Sequence, residues 1–203
     1  GVSQSAVSRV LTPGRSASKK TAEKVRSAVD ELGYRPNILA RSLITGKSNI
    51  IGLVVAYLNN RFYPEVLEKL SNRLQKEGYH VLIFIANNTK DDISNVIEGI
   101  LEYQVDGIVA ASVAMSSDLA ARCQAAGVPI VLFNRSQADD ELPSVTSNNY
   151  LGGQTAAKYL LELHHKKIGY IAGWEGASTQ VEREDGFNSM ISKQNLIVTH
   201  REV

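Results

Sequence analysis

From residue 49 onward, short apolar runs alternate with longer segments whose apolar residues recur at helical spacing, and this rhythm restricts the possible fold more than any other feature. Ile50–Val55 is a continuous apolar run, the pattern of a strand buried on both faces. Pro64 opens a helix carrying Val66, Leu67, Leu70 and Leu74, and Gly78 closes it. Ile93, Val96, Ile97, Ile100 and Leu101 mark a second helix of this region, and residues 119–126, 150–163 and 181–191 supply three more. Between them, strands are predicted at 81–86, 107–111, 129–133 and 167–172, with a short one at 144–146. Regular alternation of this kind implies a parallel sheet with helices on both faces, joined by right-handed crossovers. Ligands of such sheets lie beyond the carboxyl ends of the strands. Here those ends are residues 57–63, 87–91, 112–117, 134–136 and 173–179, several of them polar or aromatic.

The first 47 residues differ in kind. They hold nine basic residues (Arg9, Arg15, Lys19, Lys20, Lys24, Arg26, Arg35, Arg41, Lys47) against Glu23, Asp30 and Glu31. The segment is therefore +6, and the remainder near −5, in a chain whose net charge is only +1. Such segregation favours a polyanion at one end of the molecule. Ser3 is a good N-cap for a helix with Val7, Val10 and Leu11 on one side, and Thr12-Pro13-Gly14 ends it. Ser18 caps a second helix whose apolar stripe is Ala22, Val25, Ala28, Val29 and Leu32, with Gly33 as its stop. Pro36 suits the first turn of a further short helix running to about Leu43, and residues 45–48 read as a linker. The expected domains are 1–47 and 48–203.

Several function classes find no support. The single cysteine, Cys123, excludes an internal disulfide framework and has no evident base partner. Adjacent His164 and His165 point about 100° apart on a helix and cannot share a metal. Asp91-Asp92 suits a helix start better than acid–base chemistry. Nucleophile-elbow, phosphate-loop and dinucleotide motifs are missing from the sequence, so neither an enzyme nor a cofactor is expected. No apolar run approaches a membrane span of about 20 residues and no export signal opens the sequence, which suits a cytoplasmic protein without a membrane partner. The start at Gly1 and the polar ending suggest a fragment at both ends.

In a helix-turn-helix, side chains near the start of the second helix reach base edges. Gln4, Ser5, Ala6, Ser8 and Arg9 occupy the groove-facing positions of such a helix. Arg9 has the geometry for a bidentate contact to guanine, and Ser3, Ser8 and Thr21 suit phosphate contacts. Taken alone, Arg9 is better read as an ordinary solvated helix residue. The ordered set says more. GVSQSAVSRVL (1–11), TAEKVR (21–26), LGYRPN (32–37), ARSL (40–43) and IGLV (51–54) follow one another as in the LacI family of bacterial repressors, and the chain resembles that family over essentially its whole length.

The resemblance implies an α/β chain built of a partial helix-turn-helix and hinge helix followed by a periplasmic-binding-protein-like parallel α/β sensor domain. It places Asn37, Arg41 and Leu43 on the DNA side, with residues 36–43 as a hinge helix that folds on the operator. Leu43 then matches the family's wedge leucine, although a core leucine is the alternative. In the sensor, Phe62 and Tyr63 follow the first strand, where the family commonly places an aromatic against its effector, Asn134 and Arg135 match a ligand-contacting strand end, and Arg183 in STQVEREDGF (178–187) matches an effector arginine. Each has a plainer alternative. Tyr63 can staple the helix start before Pro64. Arg183 can pair with Glu182, Glu184 or Asp185 at the surface. Asn149 is expected to cap the helix that follows it. The implied partners are operator DNA, a small effector such as a sugar, and a second copy of the chain. The family's first DNA-binding helix would precede Gly1, and most of the second sensor lobe would follow Val203. A sugar-binding protein of a transport system is the rival reading, since its lobe would look alike.

Overall fold

A computed structural model describes the chain except residues 13, 36–41, 43–45, 57, 59–60, 88, 114, 138–141, 193, 195–196 and 202–203. The expected helix at 36–43 therefore lies, apart from Ser42, outside the described residues. The chain divides into two compact units, Gly1–Ser48 and Asn49–Val203.

In the first unit, helix α1 spans Gln4–Leu11 and α2 spans Lys19–Leu32. Both are capped as their sequences require. Ser3 Oγ accepts from the Ala6 N–H and Ser18 Oγ from the Thr21 N–H, each at 3.3 Å. Caps of this kind contribute about 1 kcal/mol each. Gly33 ends α2 in the left-handed region (φ 58°), and the Tyr34 N–H returns to the Val29 carbonyl at 2.9 Å. Val25 is buried at 3% exposure, while Val7, Val10 and Leu11 are half-buried. Leu32, expected in the α2 stripe, is 78% exposed, because two short helices bury only the positions that face each other.

The second unit begins with β1 (Ile50–Val55), α3 (Phe62–Lys76), β2 (His80–Ile85), α4 (Lys90–Glu102), β3 (Gly107–Ala111), α5 (Ser117–Ala125), β4 (Ile130–Phe133) and β5 (Ser144–Val145). These strands form one parallel sheet in the order β2-β1-β3-β4-β5. Alternate residues of β1 serve opposite faces: Val54 joins Ile93, Ile97, Ile100 and Ile108, whereas Leu53 and Val55 join Tyr63 and Leu67. Burying each such side chain contributes about 1.5–3 kcal/mol. Pro64 sits at the third position of α3, inside the first turn, where its missing N–H costs nothing.

The chain then builds α6 (Asn149–Glu162), β6 (Lys167–Ile171), α7 (Ser178–Ile191) and β7 (Ile197–Arg201). The parallel pair β6-β7 forms a second sheet, over which Ala157, Ile168, Phe187 and Ile191 make a separate core. Strand β7 was not legible in the sequence, where Ile197-Val198-Thr199-His200-Arg201 shows neither a long apolar run nor strict alternation.

Candidate functional site

The order of the five-stranded sheet reverses at β1, since β2 lies on one side of it and β3 on the other. The carboxyl ends at such a reversal form a crevice. Ser112, just past β3, and Asn134, just past β4, are left-handed (φ 59° and 57°), a conformation costing roughly 1 kcal/mol or more in a residue other than glycine. The ladder enforces it: the Ser112 N–H donates to the Phe133 carbonyl at 3.0 Å, and the Asn134 N–H to the Val145 carbonyl at 2.9 Å. Each chain thus stays paired for one residue beyond its strand and then turns sharply.

Residues 133–136 divide their work. The Phe133 ring stacks on Phe62 with centroids 6.1 Å apart and planes 16° apart. Asn134 Nδ2 donates to Tyr63 Oη at 2.7 Å. Tyr63 itself is only 5% exposed, with its ring in the Leu53–Val55–Leu67 core and its hydroxyl turned to Asn134. Phe62 is 48% exposed and packs against Tyr63 in a T-shaped arrangement. Arg135 is buried at 6%; its Nη1 donates to the Gly176 carbonyl at 2.9 Å and its guanidinium lies 5.2 Å from the Trp174 ring centre. These contacts tie the end of β4 to the segment between β6 and α7, the cation–π part contributing about 0.5–2 kcal/mol. A cavity of about 120 Å³ adjoins it, between Met115, Leu132, Ser136 and Ser178. That volume is well below the roughly 300–1,000 Å³ of a typical ligand pocket.

Helices α6 and α7 supply the rest. A Cβ on Gly153 would fall 2.0 Å from the Arg183 carbonyl oxygen, and one on Gly186 would fall 2.0 Å from that of Tyr150. The two backbones therefore touch. This approach sets Asn149 beside α7, where it is 6% exposed. The expected capping role of Asn149 is corrected: Asn148 is the N-cap, its Oδ1 accepting from the Leu151 N–H at 2.9 Å. Asn149 instead accepts from Arg183 Nε at 3.1 Å and donates to Glu182 Oε2 at 3.0 Å. Glu182 Oε1 accepts from Ser136 Oγ at 3.2 Å, and the Ser136 N–H donates to Ser178 Oγ at 3.1 Å. Arg183 is exposed and forms no ion pair with Glu182, Glu184 or Asp185 among the described residues.

The structure thus joins Phe62, Tyr63 and Asn134 directly, and links Arg183 to the same strand end through Asn149, Glu182 and Ser136. Phe133, Ser136, Trp174 and Glu182 were not read from the sequence. The helix-interior glycines of α6 and α7 were the available signal, since such positions hint at close backbone approach. Cys123 is fully buried, and burial pushes its thiol pKa up, which keeps it unreactive. No helix among the described residues is long and apolar enough to cross a membrane.

In the first unit, Gln4, Ser5, Ser8 and Arg9 are exposed on one side of α1, opposite half-buried Val7, Val10 and Leu11. Ser3 Oγ already accepts from the Ala6 N–H and lies 3.0 Å from Ser5 Oγ, while Thr21 Oγ1 lies 2.8 Å from Ser18 Oγ. Ala6 is half-buried. Arg9 Nε donates to the Ser5 carbonyl at 3.3 Å. Asn37, Arg41 and Leu43 lie outside the described residues.

Comparison with known proteins follows the same division. Residues 1–37 match the family described as bacterial regulatory proteins, lacI family, and residues 48–202 match periplasmic binding proteins and sugar binding domain of LacI family. The sucrose operon repressor of Streptococcus mutans serotype c is 36% identical over 95% of this chain and 59% of its own length. The maltose regulon regulatory protein MalI of Escherichia coli K12 is 30% identical over 97% of this chain and 58% of its own. The chain thus spans about three fifths of these relatives. Among solved structures, the lac repressor dimer bound to operator and the anti-inducer ONPF superposes with a TM-score of 0.85 at 23% identity, covering 99% of this chain and 62% of that one. The ribose operon repressor protein from Lactobacillus acidophilus gives 0.68 at 26% identity, covering 76% and 58%. A basic two-helix unit followed by a parallel α/β unit, each matched in order over nearly the whole length, makes this chain a member of the LacI family.

Proposed function

We propose that the chain is part of a sequence-specific transcriptional repressor, acting in the cytoplasm as a two-fold dimer, whose hold on operator DNA is set by a small polar effector. One observation carries the reading. A capped basic unit with an exposed Gln4–Ser5–Ser8–Arg9 face shares its polypeptide with a strand-end crevice that displays an aromatic ring and a guanidinium. The first has the chemistry for a groove and phosphates, the second for hydroxyls or an anionic group. A transport binding protein would leave the basic unit without a purpose.

In this reading α1 enters the major groove, and residues 36–43 form a hinge helix in the minor groove with Leu43 as wedge. The effector is a sugar or similar metabolite, by analogy with the sucrose operon repressor and MalI. It binds against Phe62 and Asn134, with Arg183 reaching its oxygens, while Arg135 holds the wall. Binding changes lobe spacing and hence hinge order, a coupling typically worth about 1–3 kcal/mol.

The DNA half is tested by Arg9→Ala. The Arg9 terminal nitrogens are unengaged among the described residues, so the substitution should leave the unit folded. It should relax discrimination at one base position by about 1–3 kcal/mol. Affinities across a set of single-position operator variants read this directly, and a profile matching wild type would remove Arg9 from base readout.

A further inference from the structure

Asn149 is wedged between two successive residues of α7, and its amide orientation is settled by its surroundings. The Nδ2 group faces Thr146 Oγ1 at 3.2 Å, the Ser147 carbonyl at 2.9 Å and Glu182 Oε2 at 3.0 Å. Two of these three are acceptors only, so a flipped amide would set oxygen against oxygen in a site 6% exposed. The amide oxygen is therefore committed to Arg183 Nε, at 3.1 Å. With Nε held, the guanidinium plane is fixed, while Nη1 and Nη2 have no partner among the described residues. Glu182 secures the arrangement from the far side, because its second oxygen accepts from Ser136 Oγ at 3.2 Å and anchors the carboxylate to the segment leaving β4.

We propose that Glu182 is a positioning residue of the ligand site: by holding the Asn149 amide it fixes the Arg183 guanidinium so that both terminal nitrogens meet a ligand group with two neighbouring oxygens, such as a vicinal diol or an anionic group. The proposal rests on the reading of Arg183 as a ligand contact. Glutamine can replace Glu182 in this role, since its oxygen can face Asn149 Nδ2 while its amide donates to the Ser136 hydroxyl. Methionine fills similar space and can do neither.

The test needs no ligand. In full-length protein labelled with ¹⁵N-arginine, the Nε–H signal of Arg183 is assigned by its loss in Arg183→Lys. Glu182→Met should speed its hydrogen exchange about 10-fold or more, the loss expected when a hydrogen bond to a charge-held partner goes. Glu182→Gln should exchange at the wild-type rate. Unchanged protection in Glu182→Met would overturn the proposal. If that variant does not fold, Asn149→Ser, too short to reach Arg183, must give the same fast exchange, and wild-type protection there would equally overturn it. Calorimetry with sucrose, maltose, ribose and cellobiose separates the two claims. Should exchange behave as expected while Arg183→Lys binds every sugar as wild type does, the positioning holds and Arg183 is no ligand contact. Should Arg183→Lys lose sugar affinity while Glu182→Met keeps full protection, Arg183 is a ligand contact and Glu182 does not position it.

Discussion

Gly186→Ala is expected to destabilise the second unit by about 3 kcal/mol, at the upper end of the usual cost of overpacking. Helix propensity alone argues the opposite, because alanine is better than glycine in a helix interior by about 1 kcal/mol. Contact decides the sign. The new methyl group would sit 2.0 Å from the Tyr150 carbonyl oxygen, a backbone atom that moves only if α6 moves. Separating α6 from α7 loosens the Ala157–Ile168–Phe187–Ile191 core and draws Asn149 away from Arg183. Gly152 and Gly99 are internal controls, for a Cβ at either meets nothing within 4 Å. Their alanine variants should be neutral or more stable by up to about 1 kcal/mol. Denaturant unfolding of the three variants checks this, and a Gly186→Ala as stable as Gly152→Ala would refute the close helix crossing.

Arg183→Ala in the full-length protein is expected to weaken effector binding about 100-fold while leaving effector-free operator affinity at its wild-type value and lowering stability by only about 1 kcal/mol. Two charge-assisted hydrogen bonds from Nη1 and Nη2, at about 1.5 kcal/mol or more each, give that factor. The stability loss is small because Arg183 is exposed and bonded only through Nε among the described residues, so the substitution removes one hydrogen bond, to the buried Asn149 oxygen, at about 1 kcal/mol. Operator titrations with increasing sugar measure the response. Retained induction would mean that Arg183 serves only the Asn149 contact.

The sheet was legible because a buried strand must be apolar along its length, and β1 is; Ser3 and Ser18 were legible because capping is local. The cap of α6 was misread by one residue because Asn148 and Asn149 are equally able to cap, and the choice depends on a partner in α7, 34 residues away from Asn149. Tyr63 shows the same limit: its spacing placed it near the crevice, but only the folded core shows that its ring points inward and its hydroxyl outward to Asn134. Arg183 was found through family resemblance, not spacing, since three acidic neighbours made a surface ion pair a real alternative. Its actual support, Glu182 acting through Asn149, depends on two glycines permitting helix backbones to touch.

In the proposed function, one polypeptide reads a duplex under the control of a metabolite. Selection of bound duplexes from a random pool by the full-length protein, with and without each of the four sugars or related metabolites, tests it most directly. A near-palindromic sequence should be enriched, with its retention shifted about 5-fold or more by one ligand. Failure to retain any duplex above non-specific binding, whatever ligand is present, would contradict it.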